Sequence, residues 1–224
     1  MGGPLISIFD ALGRRDMTQA TISFGLILVV LLICFPGHEL AHAVVADKLG
    51  DPTPRKLGRI SLNPAVHLSL VGSVMFMLFG IGWATTPIDP SRLRGRQHIS
   101  HALVAVAGPL ANLAIGIVLG LIIRVARDAL PLGPISTSTQ IFLQVGLLAV
   151  LVNFQLFFFN LLPVPPLDGW TILKGLLPWQ WHDLIAKIEP YASYALIALF
   201  FLGSGFLSEV VIRPAVALMR LVVG

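Results

Sequence analysis

Three long apolar stretches, close to residues 19–48, 101–125 and 141–162 of the 224, constrain the fold before any motif is read. Each reaches the roughly 20 residues that a helix needs to cross a bilayer. Lipid offers no hydrogen bonds to an exposed backbone, so stretches of this kind must be helices. The chain is 56% hydrophobic and 12% charged, whereas a soluble domain carries about 25% charged residues. The expected fold class is therefore an all-α integral membrane protein, a polytopic helical bundle in the lipid bilayer. Its length suits one membrane-embedded domain over residues 1–224, with no appended soluble module expected.

The segments between these stretches refine the topology. Residues 1–17 are short and charged and suit an interfacial segment. Arg14-Arg15, an apolar run from 22 to 34 and Ala41-His42-Ala43 together resemble a signal peptide. Glu39 and two histidines beside the scissile position fit a retained anchor better. The alternation in Lys56-Leu57-Gly58-Arg59-Ile60-Ser61-Leu62 reads as a short β element. Residues 67–83 are apolar, interrupted by Gly72, Gly80 and Gly82, and basic on both flanks: Lys48, Arg55, Lys56 and Arg59 before, Arg92, Arg94 and Arg96 after. Positive charge marks the cytoplasmic side, so this segment is expected to return as a re-entrant or interfacial hairpin, the alternative being a short ordinary span. The last apolar region, 191–223, is interrupted at Arg213-Pro214 and reads as a span plus a shorter helix, or a helical pair. The net charge of +4 is scattered through short loops, which suits anionic lipid and not nucleic acid.

Within the first stretch lies His38-Glu39-Leu40-Ala41-His42. On a helix the two histidines share one face a turn apart and can hold one Zn²⁺, with Glu39 beside them as a base. With this composition the pattern should arise by chance in about one such sequence in five hundred. Ionisable groups inside a membrane are costly, and a metal is the simplest reason to keep three together. A catalytic zinc takes three protein ligands and an open position. The acidic residues within or bordering apolar stretches are Glu39, Asp168 and Glu209. Asp168 follows the rigid Pro163-Val164-Pro165-Pro166 stretch and is read as the third ligand, although an Asp after such a loop serves as readily as a helix N-cap. The lone Cys34 excludes a disulfide within the chain and any cysteine-based zinc cluster. The chemistry these residues permit is metal-assisted hydrolysis of a peptide bond. Glu39 would take the water's proton and pass it to the leaving amine, and Asn112 would donate to the developing oxyanion. The returning hairpin brings His38, His42, Asn112 and Asp168 to the same cytoplasmic half.

Taken in order, His38-Glu39-x-x-His42, Gly108-Pro109-x-x-Asn112 and Asn160-x-x-Pro163-x-x-Pro166-Leu167-Asp168-Gly169 resemble the site-2 proteases, the M50-type intramembrane zinc metalloproteases. Gly58-Arg59-Ile60-Ser61-Leu62-Asn63-Pro64 with His67, and Gly82-Trp83-Ala84 with Pro87 and Asp89-Pro90, are similar to the short members without PDZ or CBS modules. The resemblance covers nearly the whole chain. It implies a three-helix core holding one catalytic zinc on His38, His42 and Asp168, and a multi-pass protein of the cell membrane. It also implies cleavage of membrane-spanning protein substrates in regulated intramembrane proteolysis. Departures fall around the substrate: Trp170 where many relatives have a second glycine, His67-Leu68-Ser69-Leu70 where they read His-Ile-Asp-Pro, and Thr85 in place of a lysine. Asn160 reads as an interhelical bridge first and a substrate contact second. For Asn112 an interhelical hydrogen bond is the alternative. His67 stands between a place near the site and a structural role, while His98, His101 and His182 read as interfacial.

Two other classes compete. A zinc-handling membrane protein should distribute ionisable residues along a path through the membrane, whereas these cluster at one depth. A catalytically silent relative that binds membrane proteins would not need all of His38, Glu39, His42 and Asp168.

Overall fold

In the computed structural model, residues 3–80, 82–131, 133–191, 194, 198–199 and 204–224 are described. The chain is a helical membrane protein in which, among the described residues, three helices are long and apolar enough to cross a bilayer: Met17–Lys48, Gln97–Asp128 and Thr137–Asn160. The first is preceded by α1 (Pro4–Gly13) and begins at Asp16, whose carboxylate accepts from Gln19 N at 2.9 Å and caps the helix. It consists of α2 (Met17–Val29), a π-helical turn (Val30–Cys34) and α3 (Phe35–Lys48), which carries the histidines. The π turn sits where Pro36 requires it. Proline has no N–H and its ring crowds the preceding turn. The chain widens there, so that Phe35 N–H bonds to Val30 O, five residues back, and the helix continues.

The same solution recurs near the C-terminus. Arg213 N–H bonds to Ser208 O across a π turn (Ser208–Ile212), and helix continues into Arg213–Val223 with Pro214 in its first turn. Arg213-Pro214 therefore does not interrupt the helix, contrary to the sequence expectation. The earlier part of that expected region lies partly outside the described residues, 192–193, 195–197 and 200–203 among them.

A short helix α4 (Thr53–Lys56) follows the first span, and the expected β element at 56–62 does not form. Lys56 closes α4, Gly58 takes a left-handed φ of 70°, and residues 60–62 bend, with no partner strand among the described residues. The isolated antiparallel bridge found is elsewhere, between Leu68 and Ala84. It joins the two ends of the segment built around α5 (Leu70–Phe79). Ten residues rise about 15 Å, half the hydrocarbon thickness, so α5 is too short to cross. Ser69 Oγ caps its start and Gly80, at φ 74°, ends it. Gly72 lets the returning strand close in, because a Cβ there would run into the Trp83 carbonyl. Phe76 then packs edge-on against Phe35, with centroids 5.6 Å apart.

The second and third spans are α6 (Gln97–Asp128) and α7 (Thr137–Asn160), the latter capped by Ser136. They are followed by α8 (Asp168–Leu176), α9 (His182–Ile188), α10 (Ser204–Leu207) and α11 (Arg213–Val223). Helix α6 is central and touches α3, α7, α8 and α11. Small residues make this possible: Gly108, Gly116 and Gly120 fall on one stripe with Asn112, and Gly116 and Gly120 seat Phe154 and Val222. Between helices in lipid, such close approach supplies the packing that burial supplies in water. At one end of the bundle, Arg94 N donates to Leu49 O at 2.8 Å. Fully buried Asp51 accepts there from Thr53 N and Asp89 N, at 2.9 and 2.7 Å. These bonds bring the ends of α3 and α6, and the basic residues around them, to one level.

The hairpin gives a direct test. Bridged residues lie about 4.5–5.5 Å apart at Cα, within disulfide reach. The Leu68→Cys/Ala84→Cys variant should form an intrachain disulfide nearly completely under mild oxidation, with buried Cys34 as a quiet background. Two reduced thiols on gel-shift labelling would mean that the ends are not adjacent.

Candidate metal centre

The i, i+4 spacing on α3 sets His38 and His42 one above the other, with Nε2 atoms 3.0 Å apart and rings edge-to-face. Asp168 is the first residue of α8. The N-cap position falls on Leu167 and makes no side-chain bond, so Asp168 is not the cap that its sequence position also allowed. Its Oδ2 lies 3.1 Å from His38 Nε2 and 3.4 Å from His42 Nε2. That oxygen is buried without a hydrogen-bond partner. The close approaches to the imidazoles are contacts, not bonds.

The other ring nitrogens explain why. His42 Nδ1 is 2.8 Å from Val104 O, a carbonyl that can only accept, so Nδ1 carries the proton. His38 Nδ1 faces Asn112 Oδ1 at 2.6 Å. With both protons on the far side, two imidazole lone pairs and a carboxylate oxygen converge in a buried space and repel one another. A cation resolves this repulsion. Three donors of a tetrahedral zinc site stand about 3.3 Å apart, from the usual N and O bond lengths, close to the separations found. His38, His42 and Asp168 form a group that can hold a metal ion, with donor atoms all within 4.8 Å of one another.

Gly108 of α6 faces this space. A Cβ built on it would fall 2.6 Å from His38 Nε2 and closer still to His42 Nε2. Gly169 is equally tight against the Leu161 and Leu162 carbonyls, which seats Asp168 at the turn of α7 into α8. Glu39, between the histidines on α3, is buried at 6% exposure, and its backbone carbonyl accepts from Thr86 Oγ1 at 3.1 Å.

Sequence comparison adds what geometry alone does not. The model of Peptidase family M50 matches residues 122–203. The putative zinc metalloprotease YwhC of Bacillus subtilis is 35% identical over 177 residues, 78% of this chain and 79% of the relative. The chain belongs to peptidase family M50. It is similar also to the putative zinc metalloprotease Rip2 of Mycobacterium tuberculosis, 29% identical over 79% of this chain and 67% of Rip2. The putative zinc metalloprotease MJ0611 of Methanocaldococcus jannaschii is 26% identical over 78% of this chain and 83% of its own length. No solved structure gives a significant match. As a member of the site-2 protease family, the chain is a zinc metalloprotease.

Other residues singled out in the sequence of this M50 peptidase fall outside the metal group. Asn160 Nδ2 donates to Leu156 O within its own helix, at 2.9 Å, with no bridge to another helix among the described residues. His67 is fully buried and bonds through Nε2 to Ser61 O. Trp170 Nε1 donates at 3.3 Å to Glu189 Oε1, which also ion-pairs with Lys174. The Lys174 ammonium holds the Glu189 carboxyl below the usual carboxylate range. His98 and His101 line a cavity of about 240 Å³ with Thr171, Lys174, Ile185 and Glu189, one turn along α8 from Asp168.

Asn112 is brought to the site, but its amide is fully engaged. Oδ1 faces His38, and Nδ2 donates to Cys34 O and to Asn153 Oδ1. Sequence reasoning passed over Asn153, although a lone amide in the apolar run of α7 is itself a signal.

Gly108→Ala strengthens the helix locally by about 1 kcal/mol of propensity while placing a methyl group among the three acceptors. The variant should fold and span normally yet retain less than about a tenth of the wild-type zinc, by a cavity-filling argument. Zinc stoichiometry of the purified protein checks this, and a full equivalent of metal would contradict it.

Proposed function

We propose that this M50 peptidase is an intramembrane zinc metalloprotease that hydrolyses peptide bonds within or next to transmembrane segments of other membrane proteins. The observation carrying the reading is the convergence of three potential ligand atoms, His38 Nε2, His42 Nε2 and Asp168 Oδ2, next in sequence to Glu39 in a bundle of membrane-length helices. Residues 1–224 act as one catalytic domain in this reading, with one ion held by His38, His42 and Asp168.

When bound, zinc supplies a Lewis acid that polarises the scissile carbonyl and makes water acidic near neutral pH. The chain's own residues do the rest. Glu39 accepts the attacking water's proton and returns it to the leaving amine, a role its burial next to the histidines favours. Val104 O holds His42 with Nε2 forward, and Asn112 does the same for His38. With both amide hydrogens in use, Asn112 acts by orienting His38 and not as the donor to the oxyanion. The short α5 and its bridged ends support a hairpin that returns to the side from which it enters. Seven basic residues between Lys48 and Arg96 then mark that side as cytoplasmic, with the site in the inner half of the cell membrane. A substrate reaches such a site along the bilayer, which suits regulated intramembrane proteolysis.

Glu39→Gln should lower cleavage of a co-reconstituted transmembrane peptide by at least about 100-fold, the usual worth of a positioned base, with zinc content unchanged. A Glu39→Gln enzyme that holds zinc and cuts as fast as wild type would remove Glu39 from the mechanism.

A further inference from the structure

An amide buried in an apolar helix has to be satisfied within the protein. On α7, Asn153 is fully buried, and its side chain makes three bonds. Oδ1 accepts from Asn112 Nδ2 at 3.0 Å, while Nδ2 donates to Ala149 O at 2.8 Å and to Cys34 Sγ at 3.1 Å. The partners determine which end of each amide points where. Ala149 O is a carbonyl and can only accept, so Asn153 must turn its NH₂ towards it and its oxygen towards Asn112. Cys34 O is likewise acceptor-only and takes the other Asn112 hydrogen, at 3.2 Å. Both Asn112 hydrogens are thereby spent, and only Oδ1 remains to meet His38 Nδ1. An oxygen there demands a proton on Nδ1, which leaves Nε2 bare.

We infer that Asn153 is a positioning residue for the metal site, setting through Asn112 the tautomer and ring angle with which His38 presents Nε2. The inference rests on the proposed metal site. The relay runs from α7 through α6 to α3 and uses all three membrane-length helices. Its anchor, the Cys34 carbonyl and thiol, belongs to the π turn that accommodates Pro36, four residues before His38. The side-chain bonds of Asn153 run to Asn112, Ala149 and Cys34, so it acts on the metal group through Asn112.

The test is zinc affinity, measured by competition with a chelator on the full chain in lipid nanodiscs. Wild type, Asp168→Ala, Asn153→Leu and Asn153→Ser are compared. Serine can bond back to Ala149 O but is too short to reach Asn112, so it keeps a satisfied helix if leucine does not fold. Loss of such an orienting partner typically weakens a metal site 10–100-fold. The expected result is about tenfold or greater weakening in the Asn153 variant that folds, with KM for the peptide substrate little changed. Selective ¹⁵N-histidine spectra of the metal-free protein should show loss of the pure Nδ1–H form of His38, with that of His42 intact. A purely structural Asn153 would lower thermal stability alone. Zinc affinity within twofold of wild type, or an unaltered His38 signal, overturns the inference. If Asp168→Ala leaves wild-type affinity unchanged, the metal site itself is misassigned, a failure separate from that of Asn153.

Discussion

Everything at the site depends on how closely α6 approaches the imidazole face of α3. Gly108 faces the two imidazoles, and any side chain there would occupy the space into which the three acceptors point. That approach also puts the Val104 carbonyl within reach of His42 and the Asn112 amide within reach of His38. One missing Cβ therefore both makes room for a cation and brings up the groups that aim the nitrogens. Packing between membrane helices is governed by such small-residue contacts, so fold and chemistry are specified here by the same residues.

Two prolines show how the backbone is adjusted to serve this packing. Pro36 and Pro214 each fall inside a continuous helical run, and each follows a π turn that absorbs the lost hydrogen bond. Near the site the consequence is functional. The widened turn at Val30–Cys34 is where the Cys34 carbonyl and thiol meet the amides of Asn112 and Asn153. Irregular helix of this kind is common where a site needs a backbone group out of its usual register.

Much of this was legible in the sequence, for identifiable reasons. The three spans follow from hydropathy alone, because lipid leaves the backbone no alternative, and the ends shift by only a few residues where Asp16 and Ser136 cap earlier than the apolar runs begin. The two histidines follow from helix period. The hairpin expected at 67–83 rests on charge on both flanks, and the helix found there, Leu70–Phe79, has ten residues. The β element at 56–62 was misread because an alternating pattern says nothing about whether a partner strand exists, and Gly58 turns the chain instead. Asp168 could not be told from an N-cap without the position of Leu167. The amide relay was invisible because hydrogen-bond direction depends on which carbonyls lie opposite Asn112 and Asn153, 78 and 4 residues away along the chain.

The central claim is that His38, His42 and Asp168 together hold one zinc ion. X-ray absorption at the zinc edge of the metal-loaded protein tests it most directly, since it counts imidazole rings and distinguishes oxygen and nitrogen from sulfur. The account predicts a four-coordinate shell with two imidazoles, the rest oxygen and no sulfur, reduced by one oxygen-donor ligand in Asp168→Ala. A shell containing sulfur from Cys34, or one with a single imidazole or none, would contradict it.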